Sequence, residues 1–311
     1  MMRGHDKWHV PVMAEEVSRY LITQSTRVIV DCTVGTGGHA ETLLKASSRD
    51  SVLIGIDLDR DALAVARERL SRFGERVVLK QMNFRDLKSV IPPDLEGRVD
   101  ALLIDCGISR LQIVTSDRGF SFDKDAPLDM RFDVRAGRTA ATALEGMDVG
   151  DLKGLIARFG ERARAGSIAR AIVRLRDNGE LESTGDLASA VKSVVSHKAA
   201  KSLARVFLAV RSVVNSEIEN LREALDVLPE VLARGGRACV ISYHSEEDRV
   251  VKTSFRKYSG RCVCPPGHPV CDCGRASLFK ILTPKPISPS AGEIRDNPSA
   301  RSAKIRVVEK M

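Results

Sequence analysis

The chain has 311 residues, 43% of them hydrophobic and 29% charged, with a formal net charge of +8. That length and apolar share can build one large core or two smaller ones and exclude disorder as the main state. No run approaches the roughly 18 consecutive apolar residues of a membrane span and Met1 to Tyr20 lacks a signal-peptide apolar core, so a soluble, cytoplasmic protein without a membrane partner is expected.

The first third alternates short β-rich runs with helical stretches. Residues 27–32, 52–57, 77–82 and 101–106 read as strands. Residues 40–46 and 61–73 read as helices, the second with Leu63, Ala66 and Leu70 at helical spacing. This βαβ series predicts a mostly parallel, doubly wound α/β sheet. From about Ile113 to Val206 no buried-strand run occurs. A turn-rich segment over 116–138 is followed by predicted helices over 152–159, 167–177, 184–195 and 198–215. After a helix over 217–232 and a stop at Gly235-Gly236, a strand returns over 237–243. The pattern predicts a core in two parts, 1–112 and 207–311, interrupted by a helical domain over 113–206.

Charge is segregated. Residues 152–211 hold 12 Lys and Arg against 5 Asp and Glu, and residues 249–311 hold 13 against 4. Two basic regions fit either a polyanionic partner or ordinary solvated helix faces. The seven cysteines fit reduced thiols rather than a disulfide framework.

The first predicted strand runs into Asp31-Cys-Thr-Val-Gly35-Thr-Gly37-Gly38-His39. In doubly wound sheets ligands bind at the carboxyl ends of strands, where glycine lets the backbone approach closely. The spacing also satisfies a loose dinucleotide pattern through Ala40, so a nicotinamide oxidoreductase competes with an S-adenosylmethionine enzyme. Asp31 suits a positively charged methionine moiety. Asp57, at the second strand end, can accept from both ribose hydroxyls. Phe84, after the third, offers a surface for adenine. Each has a plainer use, as helix cap or core residue. Their order along successive strand ends favours S-adenosylmethionine.

Longer strings carry a family resemblance: His9-Val-Pro-Val-Met13, Gly37-Gly38-His39, Arg118-Gly-Phe-Ser-Phe122, Pro127-Leu-Asp-Met-Arg131, Ile168-Ala-Arg-Ala-Ile172, Ile241-Ser-Tyr-His-Ser245 with Glu247-Asp-Arg249, and Asn297 through Lys304. The chain resembles, almost end to end, the MraW/RsmH family of bacterial methyltransferases acting on the N4 amine of a cytosine in the decoding region of 16S (small-subunit) rRNA. The resemblance implies a Rossmann-like class I methyltransferase core with an inserted helical domain. It also implies S-adenosyl-L-methionine as cofactor and the small ribosomal subunit as partner. Gly37, Gly38, His39, Asp57, Phe84, Asp105 and Gln112 match the family's cofactor-binding positions. The chain departs from the family over Cys106 to Val114, around Gln112, at Glu246, and at Gly160-Glu161-Arg162. A ribosome-assembly factor that keeps the pocket without catalysis is the remaining alternative.

The cytosine amine is a poor nucleophile because its lone pair is delocalised into the ring, so the enzyme's task is positioning and polarising an N–H bond. His244, after the returning strand, is the candidate for base contact or proton acceptance, against a role anchoring its turn. Cys106 suggests a covalent attack on the ring instead, but it extends a buried strand. Arg158, Arg162, Arg164, Arg170, Arg174 and Arg176 should project from a helical span as a phosphate-docking surface. With aromatic residues only 4% of the chain, stacking platforms are few. Phe120 and Phe122 could stack a base or pin the insertion. Cys262, Cys264, Cys271 and Cys273, with His268 between, could form a metal knuckle, but a loop of reduced thiols is favoured and no metal is expected.

Overall fold

The computed structural model describes residues 10–108, 117–135, 137–195, 199–260 and 277–311. They divide into two compact units, one formed by residues 1–109 with 219–311 and the other by 110–218.

In the first unit α1 (Ala14–Leu21) precedes β1 (Val28–Asp31), α2 (Gly38–Ala46), β2 (Val52–Asp57), α3 (Arg60–Leu70), β3 (Val77–Gln81), α4 (Leu87–Val90) and β4 (Val99–Asp105). Every residue of β1 is buried, as a central parallel strand covered on both faces requires. Asp59 starts α3 by accepting from the amides of Asp61 and Ala62, a side-chain cap for two otherwise orphaned donors. After the second unit the chain returns through α10 (Glu217–Val231), β5 (Leu232–Ser242), α11 (Ser245–Tyr258), β6 (Phe279–Ile281), α12 (Ala291–Asp296) and β7 (Lys304–Lys310).

Among the described residues seven strands form one sheet in the order β3-β2-β1-β4-β5-β7-β6. β1 to β5 pair in parallel, and β7 runs antiparallel between β5 and β6. This is the doubly wound, Rossmann-like core expected from the sequence. The order reverses at β1 and β4, so the crevice at their carboxyl ends is where such a sheet binds ligands.

Two segments differ from their sequence reading. Gly235-Gly236, expected as a helix stop before a strand, lies inside β5. Between the pairs Val99–Leu232 and Ala101–Arg237 the register shifts, and a Cβ on Gly236 would sit 2.5 Å from the Val99 carbonyl oxygen. The glycine pair thus forms a strand irregularity where backbones crowd. Helix α11, for which no element was expected, buries Val250, Val251 and Phe255 and packs on β5, β6 and β7.

The second unit contains α5 (Ala140–Glu145), α6 (Val149–Arg158), α7 (Ala165–Asp177), α8 (Thr184–Val194) and α9 (Ala199–Val214). Capping boxes start α6 at Asp148 and α8 at Ser183. All of α9 belongs to this unit, because it packs on α5, α6 and α8, which carries the division past residue 206 to residue 218.

Candidate cofactor site

The site is built from the carboxyl ends of β1, β2 and β4 in the first unit. β1 delivers Asp31, fully buried, into the loop that leads to α2. Gly37 closes that loop at φ 83° without a side-chain cap, a left-handed conformation that disfavours a Cβ. The first-turn amides of α2 are therefore open to an anionic group.

Asp31 Oδ1 accepts from the Thr33 amide at 3.2 Å, whereas Oδ2 is buried with no hydrogen-bond partner among the described residues. Burial pushes this carboxyl up to about 7; His39 opposes the rise, and the charges of Asp105 and Asp57 add to it. An orphaned buried carboxylate oxygen is costly and fits a cationic donor. The ammonium of an S-adenosylmethionine methionine moiety is such a donor.

Asp57 ends β2. Its Oδ2 accepts from the Gly35 amide at 2.8 Å and its Oδ1 from the Asp59 amide at 2.9 Å. It thereby ties the glycine loop to β2, and each oxygen retains a second acceptor site for a ribose hydroxyl. Burial pushes its carboxyl up to about 6, against the amides of Asp59 and Gly35. Phe84 opens the short turn after β3 and is half-buried, leaving ring surface for a purine.

Asp105 ends β4. Its amide donates to Thr33 Oγ1 at 2.7 Å, and its Oδ1 accepts from the Tyr243 hydroxyl at 2.8 Å. Its Oδ2 lies 3.4 Å from Nε2 of the buried His39, within ion-pair range but not aligned as a hydrogen bond. Neither His39 ring nitrogen has a hydrogen-bond partner among the described residues. Burial, reinforced by Asp105, pushes the Tyr243 phenol well up, so Tyr243 stays a donor. The structure thus brings Asp31, His39 and Asp105 together and ties Asp57 to the same loop. Gln112 and the cluster of Cys262, Cys264, Cys271 and Cys273 lie outside the described residues. Among the described residues no group of side chains could hold a metal ion.

Sequence reasoning quoted Tyr243 only as part of a string. The available signal was its place directly after the strand beside β4, where a side chain can reach across to Asp105.

His244 is the N-cap of α11. Its Nδ1 accepts from the Glu247 amide at 3.4 Å, and Glu247 Oε2 accepts from the amides of Tyr243 and His244. Its Nε2 lies 3.0 Å from Glu247 Oε1. Through Nδ1, His244 caps the helix. Cys106 is buried, and its amide donates to the Ile241 carbonyl.

In the second unit Arg158, Arg162, Arg164, Arg170 and Arg174 are exposed. Arg176 is not part of that surface: it donates to the carbonyls of Leu144 and Met147 and pairs with Asp177. Phe120 is buried, stacked on Phe132 and capped by Arg118. Phe122 meets Phe207 edge to face. Both rings are engaged in packing within this unit.

A seven-stranded sheet of this order, with a glycine loop after β1 and carboxylates ending β1, β2 and β4, defines an S-adenosylmethionine-dependent methyltransferase. The model of the MraW methylase family matches residues 6–311, and the chain belongs to that family. The match decides between the two cofactors that the glycine loop alone left open.

The chain is similar to proteins named ribosomal RNA small subunit methyltransferase H. It is 42% identical to that of Geotalea uraniireducens over 310 residues, covering 98% of this chain and 99% of the relative. Identity is 40% over 315 residues with that of Syntrophus aciditrophicus, covering 100% of both. It is 43% over 307 residues with that of Syntrophotalea carbinolica, covering 97% and 98%.

Proposed function

We propose that the chain methylates the N4 amine of a cytosine in the decoding region of 16S rRNA, presented by the small ribosomal subunit. The observation that carries this reading is the end-to-end similarity to relatives named as small-subunit rRNA methyltransferases, joined to a pocket with an orphaned buried carboxylate. When bound, S-adenosylmethionine supplies an electrophilic methyl group. Gly37 and Gly38 admit its methionine end, Asp31 and His39 face it, Asp57 accepts from the ribose, and Phe84 lies against the adenine. Asp105, oriented by Tyr243, completes the set, to which the resemblance adds Gln112.

The protein's contribution to the reaction is orientation of a weak nucleophile. No covalent intermediate is needed. His244 takes no proton in this reading; it holds the turn that carries Tyr243. The helical unit recognises the substrate, its exposed arginines contacting phosphates.

The test is transfer of labelled methyl to small subunits isolated from a strain lacking this enzyme, followed by mass spectrometry of the nucleosides. N4-methylcytidine is expected. Methyl on cytosine C5 would overturn the assignment of the acceptor atom, and binding without transfer would make the chain an assembly factor.

A further inference from the structure

A cationic cavity lies in the first unit, away from the strand ends that form the cofactor site. It opens between α11 and the β6–β7 edge of the sheet and measures about 100 Å³. That is well above the roughly 10–15 Å³ one water requires and is suited to a small tetrahedral group. Phe255, Ile281 and Pro284 give it an apolar wall, and Lys252, Arg256, Arg306 and Thr283 line the rest. Among the described residues no carboxylate lines it.

The four polar side chains are arranged for an anion. Lys252 and Arg256 are four residues apart on α11 and so share one face. Both are exposed, and neither has an ion-pair or side-chain hydrogen-bond partner among the described residues. Arg306 is 8% exposed and is held by Asp248, which accepts from Nε at 2.7 Å and Nη2 at 3.2 Å. Its Nη1 makes no hydrogen bond among the described residues. Thr283 is 4% exposed, and its Oγ1 accepts from the Val307 amide at 2.8 Å. The hydroxyl hydrogen is thereby left to donate. Of the three lining cations only Arg306 meets a carboxylate, Asp248, whose Oδ2 also lies 3.9 Å from Lys304 Nζ.

Arg306 pairs in register with Val240, two residues before the end of β5, and β5 alone separates β7 from β4. Two strand spacings put β7, which carries Arg306, about 10 Å across the sheet from β4, which carries Asp105. A nucleic acid whose target base lies at the strand ends would run its neighbouring backbone over this region.

We propose that this cavity is a phosphodiester-binding subsite for the RNA substrate. Lys252 and Arg256 neutralise the charge of one phosphate, and Arg306 and Thr283 fix its position by hydrogen bonds. The proposal rests on the reading that the substrate is RNA. Phosphate contacts of this kind set register and orientation without reading sequence.

The experiment measures binding of small-subunit rRNA to the full chain across a salt series, for the wild type, a Lys252→Ala/Arg256→Ala variant and a charge-preserving Lys252→Arg/Arg256→Lys variant. Loss of one phosphate contact lowers the slope of log affinity against log salt by about one. The alanine variant should show that drop, and the charge-preserving variant should keep the wild-type slope. Cofactor affinity by calorimetry controls for the fold. A wild-type slope in the alanine variant overturns the proposal. So does calorimetric binding of inorganic phosphate that the alanine variant loses while its RNA slope is unchanged, which would make the cavity a site for free phosphate. A wild-type chain that neither binds nor methylates the RNA overturns the functional reading itself, an outcome separate from any effect of the variants.

Discussion

Tyr243 donates its phenolic hydrogen to Asp105 Oδ1 at 2.8 Å, joining the residue after β5 to the end of β4. The carboxylate's other oxygen then faces His39. A hydrogen bond to a charged group contributes about 1.5–3 kcal/mol, so Tyr243→Phe should weaken cofactor binding by about tenfold or more while the fold persists. Calorimetry with S-adenosylmethionine reads the effect. An unchanged affinity together with an unchanged kcat would show that Asp105 needs no help from Tyr243.

Asp31 makes the pH dependence of stability specific. Its carboxyl is pushed from 3.8 up to about 7 in the folded chain, chiefly by burial. Between those values the folded state holds a proton that the unfolded state has released. This contribution to stability is therefore full below about pH 4 and lost as pH rises through about 7. It amounts to at most roughly 4 kcal/mol. Asp57, pushed up to about 6, acts in the same direction but is spent at lower pH, so the interval from pH 6 to 8 reports mainly on Asp31. The protein without cofactor should melt lower at pH 8 than at pH 6, and Asp31→Asn should flatten that interval. An ammonium beside Asp31 favours the ionised carboxylate, so cofactor affinity should rise through pH 7 in the wild type and not in the variant. Parallel pH profiles for the two proteins would remove Asp31 from the methionine pocket.

His244 is expected to behave as a cap. Losing a side-chain cap costs about 1 kcal/mol, so His244→Ala should lower the melting temperature by a few degrees and reduce methyl transfer only as far as Tyr243 is disturbed. His244→Asn, which keeps a capping acceptor, should recover most of both. A loss of transfer by orders of magnitude in a stably folded His244→Asn protein would return the imidazole to the chemistry.

The parallel core was legible because β1, β2 and, from Ala101 onward, β4 are apolar runs ending in Asp31, Asp57 and Asp105, and turn glycines follow the first. The antiparallel edge was not. β6 has only three residues, too short for a periodic signal, and β7 follows a proline- and serine-rich stretch that reads as surface. The same asymmetry holds for the site. Carboxylates at strand ends announce themselves by position, whereas the Tyr243 contact depends on the lateral order of β4 and β5, which no local pattern encodes. The arginine series shows the converse limit: composition selects six residues, but only the fold tells an exposed guanidinium from one that satisfies backbone carbonyls.

Arg174 and Arg176 make that last distinction measurable. Both lie in the final turn of α7, two residues apart and chemically identical. Arg174 is exposed, whereas Arg176 donates to the carbonyls of Leu144 and Met147 at the end of α5. Truncating Arg174 removes a charge from the surface and leaves no buried group unpaired. Arg174→Ala should weaken RNA binding and lower its salt slope by up to about one, with the melting temperature within experimental error of wild type. Truncating Arg176 takes its donor from the Met147 carbonyl, at about 1–3 kcal/mol, while the Leu144 carbonyl keeps the Met147 amide. Arg176→Ala should therefore destabilise the helical unit, and whatever RNA affinity it loses should return when the measurement is made well below its melting transition. If instead Arg176→Ala lowers the salt slope in a protein of wild-type stability, Arg176 contacts phosphate and its carbonyl contacts are incidental.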